Sequence, residues 1–288
     1  MSNLRNALFS RRIAIIFLLA PSLIVLFGVF LLPMLYIFLQ SFQNDQQQLT
    51  FQNYMVFFQD PFYLQVIWQT IRVSLWTLLC TLVLGFPVAM YMAQASGRMR
   101  GIVTMLIICP HLISVVIRNF GWVVILGEKG WINEMLLSLG IITAPLRLLY
   151  NELGVVIGLT DSFIVYMVLA VATSMYGIDQ SLYKAASILG ANRMKAFFSI
   201  TLPLSLPGII AGSTLVFSLS MSAFVTPALM GGTAVKVMPV LAYEQIMATL
   251  NWPLGAAISF MLLGTTVLLV TLLTRLVETK KYKEVFMS

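Results

Sequence analysis

A chain of 288 residues of which 60% are hydrophobic and only 9% charged cannot fold as a soluble domain, where about 25% charged is usual. Its mean hydropathy of +0.95 places it among polytopic membrane proteins. The net charge of +7 is spread so unevenly between segments that it reads as topology, and it does not indicate nucleic-acid binding.

The first apolar run, "IAIIFLLAPSLIVLFGVFLLPMLYIFL", follows Arg5, Arg11 and Arg12, as the core of a signal peptide would. It far exceeds the about 7–15 apolar residues of such a peptide and ends in no small-residue cleavage site. It is therefore predicted as a membrane helix over 13–39. Five more runs reach the roughly 20 residues needed to cross about 30 Å of hydrocarbon. They lie at 66–93, 102–126, 154–176, 208–229 and 254–276, giving an all-α protein of six spans in a single membrane domain over 1–288. Pro21, Pro33, Pro87, Pro110 and Pro227 fall in or near these spans. They are tolerable there because neighbouring helices can satisfy the freed carbonyls.

The segments between the spans divide by charge. The N-terminus, the 94–101 and 177–207 loops and the C-terminus carry 12 of the 17 basic residues and three of the ten acidic ones, a net of +9. Everything else sums to −2. Basic loops stay inside, so both termini are expected to be cytoplasmic. The opposite loops, 41–65, 127–153 and 230–253, are aromatic and expected to be ordered. In the first, Phe51, Tyr54, Phe57 and Phe58 recur near helical spacing and suggest an interfacial helix.

Several chemistries lack their residues. There is no G-x-x-x-x-G-K-[ST] to cradle a nucleotide. His111 is the sole histidine and has no Cys, Asp or Glu at metal-ligand spacing, so it reads as a hydrogen-bonded helix residue and no metal site is expected. Cys80 and Cys109 lie in apolar runs and read as small buried residues rather than a disulfide. The chain is expected to be non-catalytic and to hold no cofactor.

One inside loop is about thirty residues long, "DQSLYKAASILGANRMKAFFSITLPLSLPG". Asp179 or Ser181 can cap a helix. Leu182, Ala185, Ala186 and Leu189 then form one apolar stripe with small residues at its centre. Gly190 stands where a left-handed residue ends such a helix. Asn192 can cap a second, which Pro203 is expected to stop before Pro207–Gly208 turns the chain back into the bilayer. This helix–glycine–helix module over 179–207 suits either a docking partner or the headgroup layer, and its pattern alone leaves both readings open.

The stretch "KAASILGANRMKAFFSITLPLSLPG" resembles the EAA loop of ABC importer permeases, E-A-A-x-x-x-G-A followed some nine residues later by L-P. Ala185, Ala186, Gly190, Ala191, Phe197, Leu202 and Pro203 match in register, while Lys184 stands at the position of the family's Glu. "FQNYMVFFQDPFYLQVIWQTIRVSLWTLLCTLVLGFPVAMYMA", "SAFVTPALMGG" and "NWPLGAA" are similar to the second-helix region and last two helices of spermidine/putrescine-type permeases. The resemblance implies an ABC type I permease fold in a bacterial inner membrane. It implies a partner permease, a different chain in this family's polyamine members, a cytoplasmic ATPase dimer binding ATP and magnesium, and a substrate-binding protein docking outside. It also implies coupling to the ATPase through Lys184, Ala185, Ala186, Leu189, Gly190, Ala191 and Arg193, and a polyamine or similar small organic solute; phosphonate, iron and amino acid-like solutes are served by related permeases.

Asp161, about seven residues into the fourth span, is costly in hydrocarbon unless it faces a cavity or a partner. Arg118 in the third span falls at a similar depth and is its expected partner. Both are candidates for a pathway favouring cations, with structural pairing the competing role. Phe224, Thr226 and Pro227, within the family-like stretch of the fifth span, are further pathway candidates. Arg72 is expected to snorkel to the interface. A channel or an ATP-independent carrier would instead show a filter motif or two related halves with discontinuous helices, and neither is evident. A mere anchor would leave the polar residues of the spans unexplained.

Overall fold

The computed structural model describes residues 19–44, 46 and 48–277. The predicted start of the first span at 13–18 and the terminal charges Arg5, Arg11, Arg12, Glu278, Lys280, Lys281, Lys283 and Glu284 lie outside the described residues. Among these the chain is helical, with one isolated bridge between Gln43 and Leu49. The helices are α1 (Leu19–Gln40), α2 (Gln52–Gln59), α3 (Pro61–Gln94), α4 (Gly97–His111), α5 (Val115–Leu126) and α6 (Trp131–Ser138). They continue with α7 (Glu152–Tyr176), α8 (Gln180–Ile188), α9 (Arg193–Met221), α10 (Val225–Met230), α11 (Met238–Met247) and α12 (Trp252–Val277). Five are long and apolar enough to cross a membrane, and six spans result if the broken pair α4 and α5–α6 counts as one.

The described residues form two compact units, one of residues 19–60 and 242–260, the other of 61–241 and 261–277. In the first, the loop after α1 is pinned by aromatic and amide contacts. Phe42 meets Phe38, Phe51 and Tyr54 with ring centroids 4.9–5.4 Å apart. The Asn53 amide donates to the carbonyls of Ser41 and Gln43, and the Ser41 and Tyr54 hydroxyls bond at 2.8 Å. The predicted interfacial helix exists as α2, with Phe57 buried and Phe58 exposed.

The second unit is built on α3, α7 and α9. Along α3, Thr70, Ser74, Thr77 and Thr81 are buried at helical spacing and return their hydroxyls to carbonyls three or four residues back. Gly85 and Ala89 continue the stripe. On α9, a Cβ added at Gly208 would lie 2.5 Å from the Ala170 carbonyl oxygen of α7. Membrane helices gain little from apolar burial against one another, since lipid is equally apolar. Close backbone approach at small residues supplies the missing attraction, and Ser174 adds a hydroxyl bond to the Leu204 carbonyl at 3.1 Å.

Three expectations about helix ends need correction, and prolines explain each. The third span is not one helix over 102–126: α4 and the following α5–α6 run are bent by 90°. After Pro110 the last turn tightens, with Leu112 and Ile113 donating three residues back, and Arg118 N–H donates to Ser114 O as the next helix starts. The fifth span also breaks, at residues 222–224, before α10. There the ring of Pro227 would meet the Ala223 carbonyl, four residues back, in a continuous helix. Pro203, in contrast, does not stop a helix. Residues Phe197–Thr201 form a π turn in which Leu202 donates five residues back to Phe197, and the widened turn carries the proline without a break. The same device precedes Pro33: Leu26–Leu31 is a π turn, and Leu32 donates to Phe27. Arg193 to Met221 therefore run as one helix, and Pro207–Gly208 lies within it rather than at a turn.

Candidate functional site

Two groups of residues stand out, one buried among helices and one exposed on a loop.

The buried group lies where α5, α7 and α10 meet. Both α5 and α10 begin directly after a helix break, which brings their first turns against α7. Asn119 donates its amide to the Thr226 hydroxyl at 3.0 Å, and both are buried. Gly158 of α7 makes room: a Cβ there would lie 2.7 Å from Thr226 Cγ2 and 2.6 Å from Met230 Sδ. Arg118 reaches Asp161 with Nη1 3.6 Å from Oδ2, the pairing expected from sequence. At that length it is an ion pair without a good hydrogen bond. The Arg118 Nε is buried and has no hydrogen-bond partner, as are the hydroxyls of Thr160 and Ser220. Arg118 keeps 11% of its side-chain surface and Asp161 keeps 29%, so the acid is the more open partner.

Of the five predicted residues in this group, Thr226 and Pro227 are buried on α10 and Phe224 sits half-buried at the break. Pairing by Thr226 belongs to Asn119, which sequence reasoning passed over. An asparagine in the apolar stretch "VVIRNFGWVV" was itself a signal, because a buried amide in a membrane helix needs a partner. Beside the group, His111 bonds the Tyr166 hydroxyl through Nε2 at 3.0 Å, as the bland reading of that histidine expects.

Toward the other end of α7, Arg72 does not merely snorkel. It forms an ion pair with Glu152, in the first turn of α7, and Gln69 donates to the same carboxylate at 3.1 Å. Gln69 also reaches the Ala234 carbonyl at 3.4 Å, so one polar cluster ties α3, α7 and the segment before α11.

The exposed group is the predicted helix–glycine–helix module. Asp179 caps α8 by accepting from Ser181 N–H at 2.8 Å. That backbone bond, and then the Ser181 hydroxyl, hold the Asp179 carboxyl below its usual pKa. Gly190 follows at φ +77°, a conformation costly for residues with a Cβ. Asn192 caps α9 by accepting from Lys195 N–H at 2.8 Å. The Tyr183 hydroxyl bonds Thr201 at 3.0 Å, and Phe197 packs edge-on against Phe86 of α3 with centroids 5.8 Å apart. These contacts fix the module to the membrane helices from one side. On the other side Ile188 and Leu189 leave 85% and 84% of their surface open. Lys184, Ala185 and Arg193 are exposed too, while Ala186 and Ala191 are half-buried. Lys184 makes no ion pair with a described residue. The exposed Ile188 lay off the stripe read from sequence.

A bundle of membrane-length helices with a loop module that leaves isoleucine and leucine bare defines an integral membrane protein. Residues 82–281 match the model of the "binding-protein-dependent transport system inner membrane component" family. The chain is 36% identical over 226 residues to the spermidine/putrescine transport system permease protein PotB of Haemophilus influenzae, covering 78% of this chain and 77% of that one. Against PotB of Escherichia coli the identity is again 36%, over 203 residues, 70% of this chain and 74% of that one. A chain of a bacterial alginate ABC transporter, solved in complex with an alginate pentasaccharide-bound periplasmic protein, superposes with a TM-score of 0.80 at 18% identity, over 94% of this chain and 97% of that one. The chain belongs to the family of inner membrane components of binding-protein-dependent transport systems.

Proposed function

We propose that this chain is the permease subunit of an ATP-driven importer that carries polyamines of the spermidine and putrescine kind. The observation that carries the reading is the 36% identity to the PotB permeases over 78% of the chain. A substrate-binding protein delivers the solute from outside, and a second permease completes the pathway. ATP and magnesium are held by a separate cytoplasmic ATPase dimer, so this chain needs no cofactor and performs no hydrolysis. Both termini and the α8 module lie in the cytoplasm, a placement that the +9 net charge of their segments supports.

The ATPase grips the surface that runs through Lys184, Ala185, Ala186, Leu189, Gly190 and Ala191 to Arg193. Its bare Ile188 and Leu189 side chains gain burial on docking, and the Tyr183–Thr201 and Phe86–Phe197 contacts pass the motion to α9 and α3 as a rigid push. In the pathway, Asp161 favours cationic substrates and Arg118 offsets its charge while no substrate is present. Thr226, Pro227 and Phe224 position α10 beside them.

Uptake of radiolabelled spermidine tests this in cells depleted of other polyamine importers and supplied with the whole transport system. Restored, ATP-dependent uptake that unlabelled putrescine suppresses and alginate does not is the expected result. An Asp161→Asn subunit is expected to assemble normally and to lower uptake by about tenfold, the loss of one charge contact of roughly 1.5 kcal/mol. Full uptake by that variant removes Asp161 from the pathway.

A further inference from the structure

We infer that the space behind the α8 module is a binding site for an anionic phospholipid of the inner leaflet. A cavity of about 840 Å³ opens there, between the ends of α3 and α7, the start of α9, and α8. Its location sets the level in the bilayer: two membrane-length helices end at it and a third begins, so it lies where hydrocarbon gives way to headgroups. The side facing the membrane helices is apolar, made by Met90, Met175 and Phe197, and the exposed Met194 also lines the cavity. Methionine walls adapt to a flexible chain, since the thioether side chain is unbranched and polarisable.

The rim is of the opposite kind. Gln94, Gln180 and Arg193 line it, and all three are exposed. The Arg193 guanidinium has neither ion pair nor hydrogen bond among the described residues. No acidic residue lines the cavity, and the neighbouring Asp179 carboxylate is turned to the Ser181 N–H. One unpaired guanidinium with two free amides, above an apolar slot, matches the phosphate and acyl chain of a phospholipid. Arginine binds phosphate through two parallel N–H bonds, and basic pockets between membrane helices on the cytoplasmic side take anionic headgroups. The Tyr183–Thr201 bond at 3.0 Å lies in the wall of this cavity. A bound lipid therefore stiffens the link between α8 and α9, the one the ATPase must work through. This role adds to the proposed transport function and does not depend on which solute is carried.

The test uses the assembled importer, purified with its partner subunits, stripped of lipid in detergent and titrated separately with phosphatidylglycerol, phosphatidylcholine and inorganic phosphate. Native mass spectrometry counts bound lipid, and a melting curve reads stability. The wild-type importer is expected to hold one phosphatidylglycerol more than an Arg193→Gln importer, at an affinity at least about tenfold higher. Phosphatidylcholine is expected to bind as weakly to wild type as phosphatidylglycerol does to the variant. Ala93→Phe, which fills the cavity from α3, is expected to abolish the extra lipid without removing the charge. Equal phosphatidylglycerol counts for wild type and Arg193→Gln overturn the proposal, as does a melting shift with inorganic phosphate as large as that with the lipid. Loss of ATPase binding by Arg193→Gln with lipid binding intact leaves the guanidinium to the coupling surface alone and also overturns it.

Discussion

The α8 module and the α5–α7–α10 junction use the same local devices and end in opposite states. Each has a helix that starts at a polar residue, Asp179 and Asn192 in one, which cap with their side chains, and Ser114 in the other, which does not, and each contains a break between helices. At the junction the polar groups turn inward and find one another: Asn119 with Thr226, Arg118 with Asp161. In the module the side chains of Asp179 and Asn192 serve only the backbone, and the apolar side chains of Ile188 and Leu189 are left bare among the described residues. The buried Asn119–Thr226 pair is a finished contact that holds this chain's own helices together. In the proposed function, the bare apolar tip is half of a contact whose other half lies on the ATPase. Mutations of the Asn119–Thr226 pair and of the module tip should therefore separate cleanly, the first by folding and the second by coupling.

The largest loss is expected in the helix core that supports both. Gly208→Leu drives a side chain into the Ala170 carbonyl, 2.5 Å from the first added atom. Overpacking against the backbone is expected to cost upwards of about 3 kcal/mol, read as failure to recover folded protein in detergent. At the junction, Asn119→Ala strands the Thr226 hydroxyl and is expected to cost about 1–2 kcal/mol. Its melting temperature falls while the ATPase still binds; a variant that melts normally but loses the ATPase would erase the contrast. In the module the order reverses. Lys184→Glu changes stability by less than about 0.5 kcal/mol, as surface substitutions do, yet is expected to alter the ratio of ATP hydrolysed to solute imported. An unchanged ratio removes Lys184 from the coupling surface.

The smallest effect expected is one of pH. The folded-state pKa of Asp179 is depressed by its bond to Ser181, so its contribution to the α8 cap is present at neutral pH. That contribution fades as pH falls from the ordinary carboxylate range through the lowered value. Circular dichroism of the importer under acid should show slightly earlier helix loss than in an Asp179→Asn variant, whose cap has no proton to gain.

Much of this was legible in the amino-acid sequence because the bilayer imposes it. Span lengths, the charge divide and the Gly190 stop each follow from a single strong term. The breaks were harder. Pro110, Pro203 and Pro227 are alike in sequence, yet one precedes a 90° bend, one is absorbed by a π turn and one follows a break. Which outcome wins depends on what the neighbouring helices offer the freed carbonyls, and no local pattern contains that. The same limit hid Asn119 and the Arg72–Glu152 pair, whose partners lie 107 and 80 residues away. Asp161 and Arg118 were matched in advance because two opposite charges at similar depth leave few alternatives.

The central claim is that the α8 module transmits ATP hydrolysis to transport. It is tested most directly in proteoliposomes containing this permease, its partner subunits and the binding protein, by measuring spermidine uptake and ATP hydrolysis together. The account predicts uptake that requires ATP in the wild type. With Gly190→Val, where a branched side chain is forced to φ +77° at a cost of about 1–3 kcal/mol, the liganded binding protein no longer stimulates hydrolysis and uptake is lost. Wild-type rates in that variant, or spermidine uptake by this chain alone without ATP, would contradict it.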